Sequence, residues 1–363
     1  MRLVVALVSI LSTCNVLAEP HWPKGLTHFA VGSCAKDRQP QPIWNSIADT
    51  EPELFLFIGD NVYADAWIDE QGESHSVSIS DPALITAAYQ RLAAHSEFDA
   101  FRRKVPIMAT WDDHDFGLND GGKEFLLKDA SQQAFMAFFD FAEDAPIRQR
   151  AGVYNTRVFA DEVRRVQVIM LDTRYHRDRI DKRDDGRPPN KGPFLPTSDT
   201  SRSMLGEQQW RWLEVQLRQP ADLRFIISSV QVVAYEHAWE TWGNMPHERE
   251  KLFKLIDETD ASGVIFLSGD RHLTEVSVDA GQLGSAVPYP MWDFTASGLT
   301  DEYNEVNEVN SFRKGSVHRQ ANFGTVKIDW QTPVGDTTIT MTAFDIEGNA
   351  LNQQSVRLGS LRE

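Results

Sequence analysis

Four short apolar runs in this chain each stop at a polar cluster, and that pattern narrows the folds open to it. His28–Gly32 runs into Ser33-Cys34, and Leu54–Ile58 into Gly59-Asp60. Pro106–Thr110 runs into Trp111-Asp112-Asp113-His114-Asp115, and Gly263–Ser268 into Gly269-Asp270-Arg271-His272. Runs this short, bounded by turn residues, read as strands buried on both faces. Helical patterns separate them: Pro42–Asp49, residues 81–104 with Asp81 as N-cap and Pro82 at the first helical position, 129–142, Leu205–Leu217 and Pro246–Thr259. Such alternation specifies an α/β fold. In open α/β sheets ligands bind beyond the carboxyl ends of strands. Cys34, Asp60, Asp112–Asp115, Asp270 and His272 are therefore expected to meet.

The middle of the chain differs. Val153–Ala160 and Val163–Leu171 read as a hairpin around Asp161-Glu162, and residues 178–200, rich in Pro, Asp and Arg, as a long surface loop. Leu223–Val230 reads as a strand, and Asn322–Trp330 with Thr337–Phe344 as a second hairpin. With no internal repeat or linker, residues 19–363 are expected to form one domain. Met1-Arg2, the apolar run Leu3–Leu11 and the small residue Ala18 read as a signal peptide over 1–18, which predicts export to the periplasm or medium. No later segment is long and apolar enough for a transmembrane helix. Loss of Cys14 with that peptide would leave Cys34 the sole thiol, in an oxidising compartment where a free thiol is a liability unless buried or used.

With 36 Lys and Arg against 53 Asp and Glu, the formal charge is −17. That surface repels nucleic acid and anionic membrane. It repels a phosphate ester as well, so phosphate chemistry here requires a strong local positive field of the kind a metal cluster supplies.

Each cluster has a chemical and a plainer reading. Asp60 at a strand end can bridge two cations, and Tyr63, brought back by a helical turn over 60–63, adds a hard phenolate donor; alternatively Asp60 is an N-cap and Tyr63 a core residue. Asp112, Asp113 and Asp115 around His114 repel one another unless solvated or neutralised by a cation. His114 beside them gains a raised pKa and can serve as proton donor; the alternative is a solvated turn in which Asp115 or Asn119 caps something. Asp270 and His272, two apart in an extended segment, would point the same way as a two-ligand clip, with Arg271 pointing elsewhere. Cys34 is either a small buried hydrophobe or a thiolate ligand. Arg174, in Leu171-Asp172-Thr173-Arg174-Tyr175, can hold a phosphate oxygen or pair with Asp172 or the acidic middle loop.

On these residues the chain resembles the PhoD-like alkaline phosphatases, a branch of the metallophosphoesterases. The matching stretches are GSC at 32–34, GDNVYAD at 59–65, TWDDHDFGLND at 110–120, LDTRY at 171–175 and SGDRH at 268–272, in the family's order. The resemblance implies a sandwich of two mixed β-sheets flanked by helices, an exported enzyme and a site holding ferric iron and calcium. It implies that Cys34 and Tyr63 ligate iron, that Asp60 bridges both metals, and that Asp270 and His272 complete the shell. Asp113 would be a ligand by position and His114 the acid, with Asn119 competing for calcium. Arg174 and Arg271 are the candidate substrate contacts. Ser228-Ser229-Val230-Gln231 stands where the broader superfamily carries a further His ligand, which suits calcium better than zinc.

The expected reaction is metal-assisted hydrolysis of a phosphate monoester or diester. A phospholipase-type diesterase is one rival, with the 178–200 loop, Trp239 and Trp242 shaping room for a larger ester or phospholipid. A non-catalytic exported metal- or ligand-binding protein is the other.

Overall fold

A computed structural model describes residues 21–69, 73–284, 286–300 and 307–362. The expected signal peptide, 1–18, lies outside the described residues.

Two six-stranded mixed sheets make the frame. In the first, the order is Ala350–Arg357, Thr338–Asp345, Asn322–Asp329, His28–Gly32, Phe55–Ile58, Ile107–Thr110, the last three parallel. In the second it is Thr274–Asp279, Met291–Ala296, Val264–Ser268, Leu223–Ser228, Arg165–Met170, Asn155–Ala160, the four inner strands parallel. The expected strands and both expected hairpins form, within a residue or two of their predicted limits. The helical stretch 81–104 is broken at His95, whose ψ of 119° ends Ala83–Ala94 and starts Ser96–Arg102.

Strand alternation decides what each sheet face buries. In the first sheet, Phe55 and Phe57 face the helices and Leu54, Leu56 and Ile58 face the second sheet. Trp44 packs edge-on against Phe55 and Phe57 and also meets Phe98 and Phe101 from helix Ser96–Arg102. Between the sheets, Phe29 meets Phe225 at 4.9 Å in a T-shaped pair. Helices Gly206–Leu217 and Pro246–Glu258 cover the outer face of the second sheet through Trp210, Leu213, Leu252 and Phe253.

The carboxyl ends of the parallel strands from both sheets point to one edge, where backbone meets backbone. Gly298 N–H donates to Ser33 O at 3.1 Å and Gly269 N–H to Ser229 O at 3.0 Å. A Cβ on Gly269 would lie 2.7 Å from Ser33 Oγ and 3.2 Å from Ile58 O, so only glycine lets the two sheets close here. Gly59 combines φ +114° with a Cβ position 2.8 Å from that of Asp112. The 178–200 segment is ordered: Asp181–Lys182 pairs with Phe194–Leu195, and Gly192 and Phe194 donate backbone N–H groups to His237 O and Ala238 O at 2.7 and 3.0 Å.

Candidate metal centre

One half of the site forms where the strands His28–Gly32 and Phe55–Ile58 end. Cys34 (φ 63°) and Asp60 (φ 47°) both turn left-handed as they leave their strands. The buried Cys34 thiol lies 3.4 Å from Asp60 Oδ2 and 3.1 Å from Ser297 Oγ. Tyr63 O–H reaches Asp60 Oδ2 at 3.3 Å and His272 Nε2 at 3.0 Å. Donor atoms of Cys34, Asp60 and His272 lie within 4.8 Å of one another. His114 stacks on Tyr63 at 4.1 Å, its backbone N–H donates to Asp60 Oδ1 at 3.3 Å, and its Nδ1 sits 2.7 Å from Asp65 Oδ1.

Two local expectations need correction. Residues 60–63 form no helical turn, and 270–272 is not extended: Asp270 and His272 have φ of 69° and 52°. The junction of the sheets is tight, and the loops that carry these residues reverse sharply there. Five of the ten described non-glycine residues with positive φ are Cys34, Asp60, Asp120, Asp270 and His272. Such backbone is unfavourable by about 1 kcal/mol or more each and concentrates where side chains must be aimed.

The other half is built of carboxylates. Asp112, Asp113 and Asp270 bring oxygens within 4.8 Å of one another, as do Asp113, Asp120 and Glu240. Asp113 Oδ2 accepts from Asp120 N–H at 2.7 Å. Asp112 Oδ1 accepts from Ser229 Oγ at 2.5 Å and from Arg174 Nε. Asp112 Oδ2 and Asp113 Oδ1 are buried without a hydrogen-bond donor. Asp115 does other work: its carboxylate takes the Asp112 N–H at 2.7 Å, the Asn61 N–H at 3.3 Å and the Tyr89 O–H at 3.3 Å, so it ties the loop together.

The PhoD-like phosphatase family model matches residues 29–346. The chain belongs to that family. It is 22% identical over 277 residues to alkaline phosphatase D of Bacillus subtilis (strain 168), a match covering 69% of this chain and 46% of the relative, so the chain spans about half of that protein's length. A solved structure of PhoD is similar with a TM-score of 0.67 at 18% identity, over 94% of this chain and 74% of that one. A purple acid phosphatase from yellow lupin (Lupinus luteus) seeds is similar at 0.57 and 14% identity, over 93% and 55%. At these identities the two structures establish a shared fold, the metallophosphoesterase sandwich.

Charge explains how this member of the PhoD-like family tolerates so many acids. Burial pushes the Cys34 thiol and the Asp60 and Asp270 carboxyls well above their ordinary ranges, and neighbouring carboxylates push them further. Burial raises Asp112 to about 6 against the pull of Arg174. Burial also opposes charge on Asp113, yet His114 and Arg174 together hold it below the usual carboxylate range. His114 is pushed well up by Asp113, Asp60 and Asp65 despite its own burial. Groups that would otherwise hold protons are those a cation can take over. The donor sets fit metal: sulfur, imidazole, phenol and carboxylate suit a transition ion, and carboxylates alone suit a hard oxygen-seeking one.

The structure gathers Cys34, Asp60, Tyr63, Asp113, His114, Asp270 and His272 at one edge. Asn119 is exposed in the turn after residues 113–116, whereas Asp113 is buried in the carboxylate group. Arg174, read as a substrate contact, is fully buried and its guanidinium engages Asp112 and Glu240, the latter at 2.7 Å. Its neighbour Asp172 instead caps its own turn by accepting the backbone N–H groups of Arg174 and Tyr175. Arg271 is 5% exposed and bonded to Glu308 at 3.2 Å. Asp65, Asp120 and Glu240 were missed as partners. Asp65 and Asp120 close two of the motif stretches, while nothing local marks Glu240 beyond the tryptophans beside it.

Proposed function

We propose that this chain is an exported, metal-dependent phosphoesterase whose catalytic unit is residues 19–363. The single observation that carries this reading is Asp60. Its carboxylate belongs both to the thiol and imidazole group with Cys34 and His272 and to a group with Asp113 and His114. A shared carboxylate between two unlike donor sets is what a bridged metal pair needs. Ferric iron would be held by Cys34, Tyr63, Asp60 and His272, and calcium by Asp60, Asp113 and Asp270, with Asp112 alongside. When bound, such a pair supplies Lewis-acid charge to phosphoryl oxygens and lowers the pKa of water.

The protein's own residues do the rest. His114 is oriented by Asp65 through Nδ1 and by stacking on Tyr63, and it delivers a proton from Nε2 to the departing alkoxide. Asp65 favours the imidazolium until that transfer. Arg174 and Arg177 hold the carboxylate wall together from behind, through Asp112 and Glu240. The expected substrates are phosphate esters of small molecules. The family relationship and the donor geometry support this reading, and the low-identity fold likeness is consistent with it.

Elemental analysis of protein purified after export without chelator, run beside hydrolysis of a chromogenic monoester and its diester, tests it. About one iron with calcium and turnover of either ester is expected. Zinc or manganese alone keeps the hydrolase and overturns the roles of Cys34 and Tyr63. No stoichiometric metal and no turnover after reloading overturns the proposal in favour of a binding protein.

A further inference from the structure

An acidic phosphoesterase must still attract a dianion, and the buried arginines beside the site, including both candidate substrate contacts Arg174 and Arg271, are occupied. Arg174 and Arg177 are buried against Asp112 and Glu240, and Arg271 against Glu308. Lys182 is placed differently. Its ammonium lies 3.0 Å from Asp120 Oδ2, and Asp120 belongs to the carboxylate group with Asp113 and Glu240. The Lys182 side chain nevertheless remains 54% exposed. It therefore touches the candidate metal centre at one end and solvent along its flank.

Its backbone is held firmly enough to make the position meaningful. Lys182 stands in the two-stranded ribbon with Phe194, and its ammonium also lies 4.9 Å from the centre of the Phe194 ring. That ribbon is bonded to His237 and Ala238, three and two residues before Glu240 in the same wall. Arg187, further along the ribbon's loop, lies over Trp239 at 5.1 Å. The 178–200 segment is thus fastened beside the carboxylate group at several points, with a cation on its inner end.

We infer that Lys182 is a substrate-binding residue that contacts the phosphoryl group and favours dianionic monoesters over monoanionic diesters. This rests on the phosphoesterase reading. An exposed lysine–aspartate pair adds little to the stability of a fold, so holding the loop in place is a weak reason for the contact. The Lys182 ammonium is the point at which this ribbon's charge reaches the carboxylate group, through Asp120. Attraction scales with the product of charges, so a dianion gains about twice what a monoanion does. Lysine serves as a point charge here, and arginine should substitute for it in part.

The experiment compares wild type with Lys182→Met and Lys182→Arg, all purified without chelator, at pH 8. p-Nitrophenyl phosphate and bis-p-nitrophenyl phosphate are the substrates, and orthophosphate binding is measured by calorimetry. For Lys182→Met, KM for the monoester should rise about tenfold with a smaller change in kcat, and KM for the diester only about threefold, as the charge ratio requires. Lys182→Arg should recover most of the loss. Equal changes for both esters, or a fall in kcat alone with an altered melting temperature, overturn the assignment and leave Lys182 a loop anchor. If wild type hydrolyses neither ester, the phosphoesterase reading fails separately. Orthophosphate affinity then decides Lys182: weaker binding in Lys182→Met upholds it as an anion contact, and equal affinity or no binding overturns it.

Discussion

The two halves of the site neutralise their acids by different means. Among the carboxylates of Asp112, Asp113 and Glu240, the protein supplies its own cations: Arg174 and Arg177 are both buried there. At Cys34 and Asp60 the partners are a thiol, hydroxyls, a phenol and the His114 N–H. The first arrangement holds the wall in place whether or not an ion is bound. The second leaves groups raised by burial, so proton or metal must complete them. The comparison teaches that the carboxylate half is braced by built-in cations beside the ion proposed for it, whereas the Cys34 and Asp60 half depends on loading. Charge density alone, high in both halves, does not separate these roles.

The largest expected effect tests the loading half. Asp60→Asn removes a buried carboxyl and keeps its shape, so the fold should survive with little change in denaturation midpoint. Turnover should fall about a thousandfold or more, since a bridged pair contributes several kcal/mol to the transition state. Steady-state kinetics on a monoester check this, and a wild-type rate would end the two-metal reading. Arg174→Met tests the other half and should do the reverse. It strands Asp112 without its cation in a fully buried place and leaves Glu240 with Arg177 alone. Breaking a buried pair from one side costs about 3–5 kcal/mol, visible in guanidinium denaturation. A loss under about 1 kcal/mol would mean that the arginine does not support the carboxylate wall, and the contrast between the halves would collapse.

This division was only partly legible in the sequence. The strands could be read because buried strands are short, continuous and apolar, as Phe55–Ile58 and Val264–Ser268 are. The candidate ligand positions could be read next, because a residue one step past such a strand stands at the sheet edge whatever its local conformation. The conformation itself was misread: Gly269-Asp270-Arg271-His272 looks extended in sequence and is left-handed at both ligands. Packing between two sheets set that, and no single stretch encodes it. The ion pair of Arg174 with Glu240 was hidden for a related reason. Glu240 is 66 residues away and arrives only through the segment against which the 178–200 ribbon is fastened. Asp65 stood in a quoted motif, yet its bond to His114 depends on a loop reversal that the motif does not announce.

The smallest structural effect gives the finest test of the loading half. Tyr63→Phe deletes one hydroxyl and leaves the ring, so the stack on His114 survives. The hydrogen bonds to Asp60 and His272 go. Neutral hydrogen bonds contribute about 0.5–1.5 kcal/mol each, so the melting temperature should move by only a few degrees. The optical spectrum should change far more. A phenolate bound to ferric iron absorbs visible light, whereas a phenol that only donates hydrogen bonds does not. Wild type purified without chelator should therefore be coloured and Tyr63→Phe colourless, with iron content measured in both. Iron retained with the band unchanged would remove Tyr63 from the ion's shell and make it a positioning group for Asp60 and His272. Iron retained with the band gone would show that the remaining donors, Cys34, Asp60 and His272, suffice to hold the ion, and that the phenol tunes an ion which those three already secure.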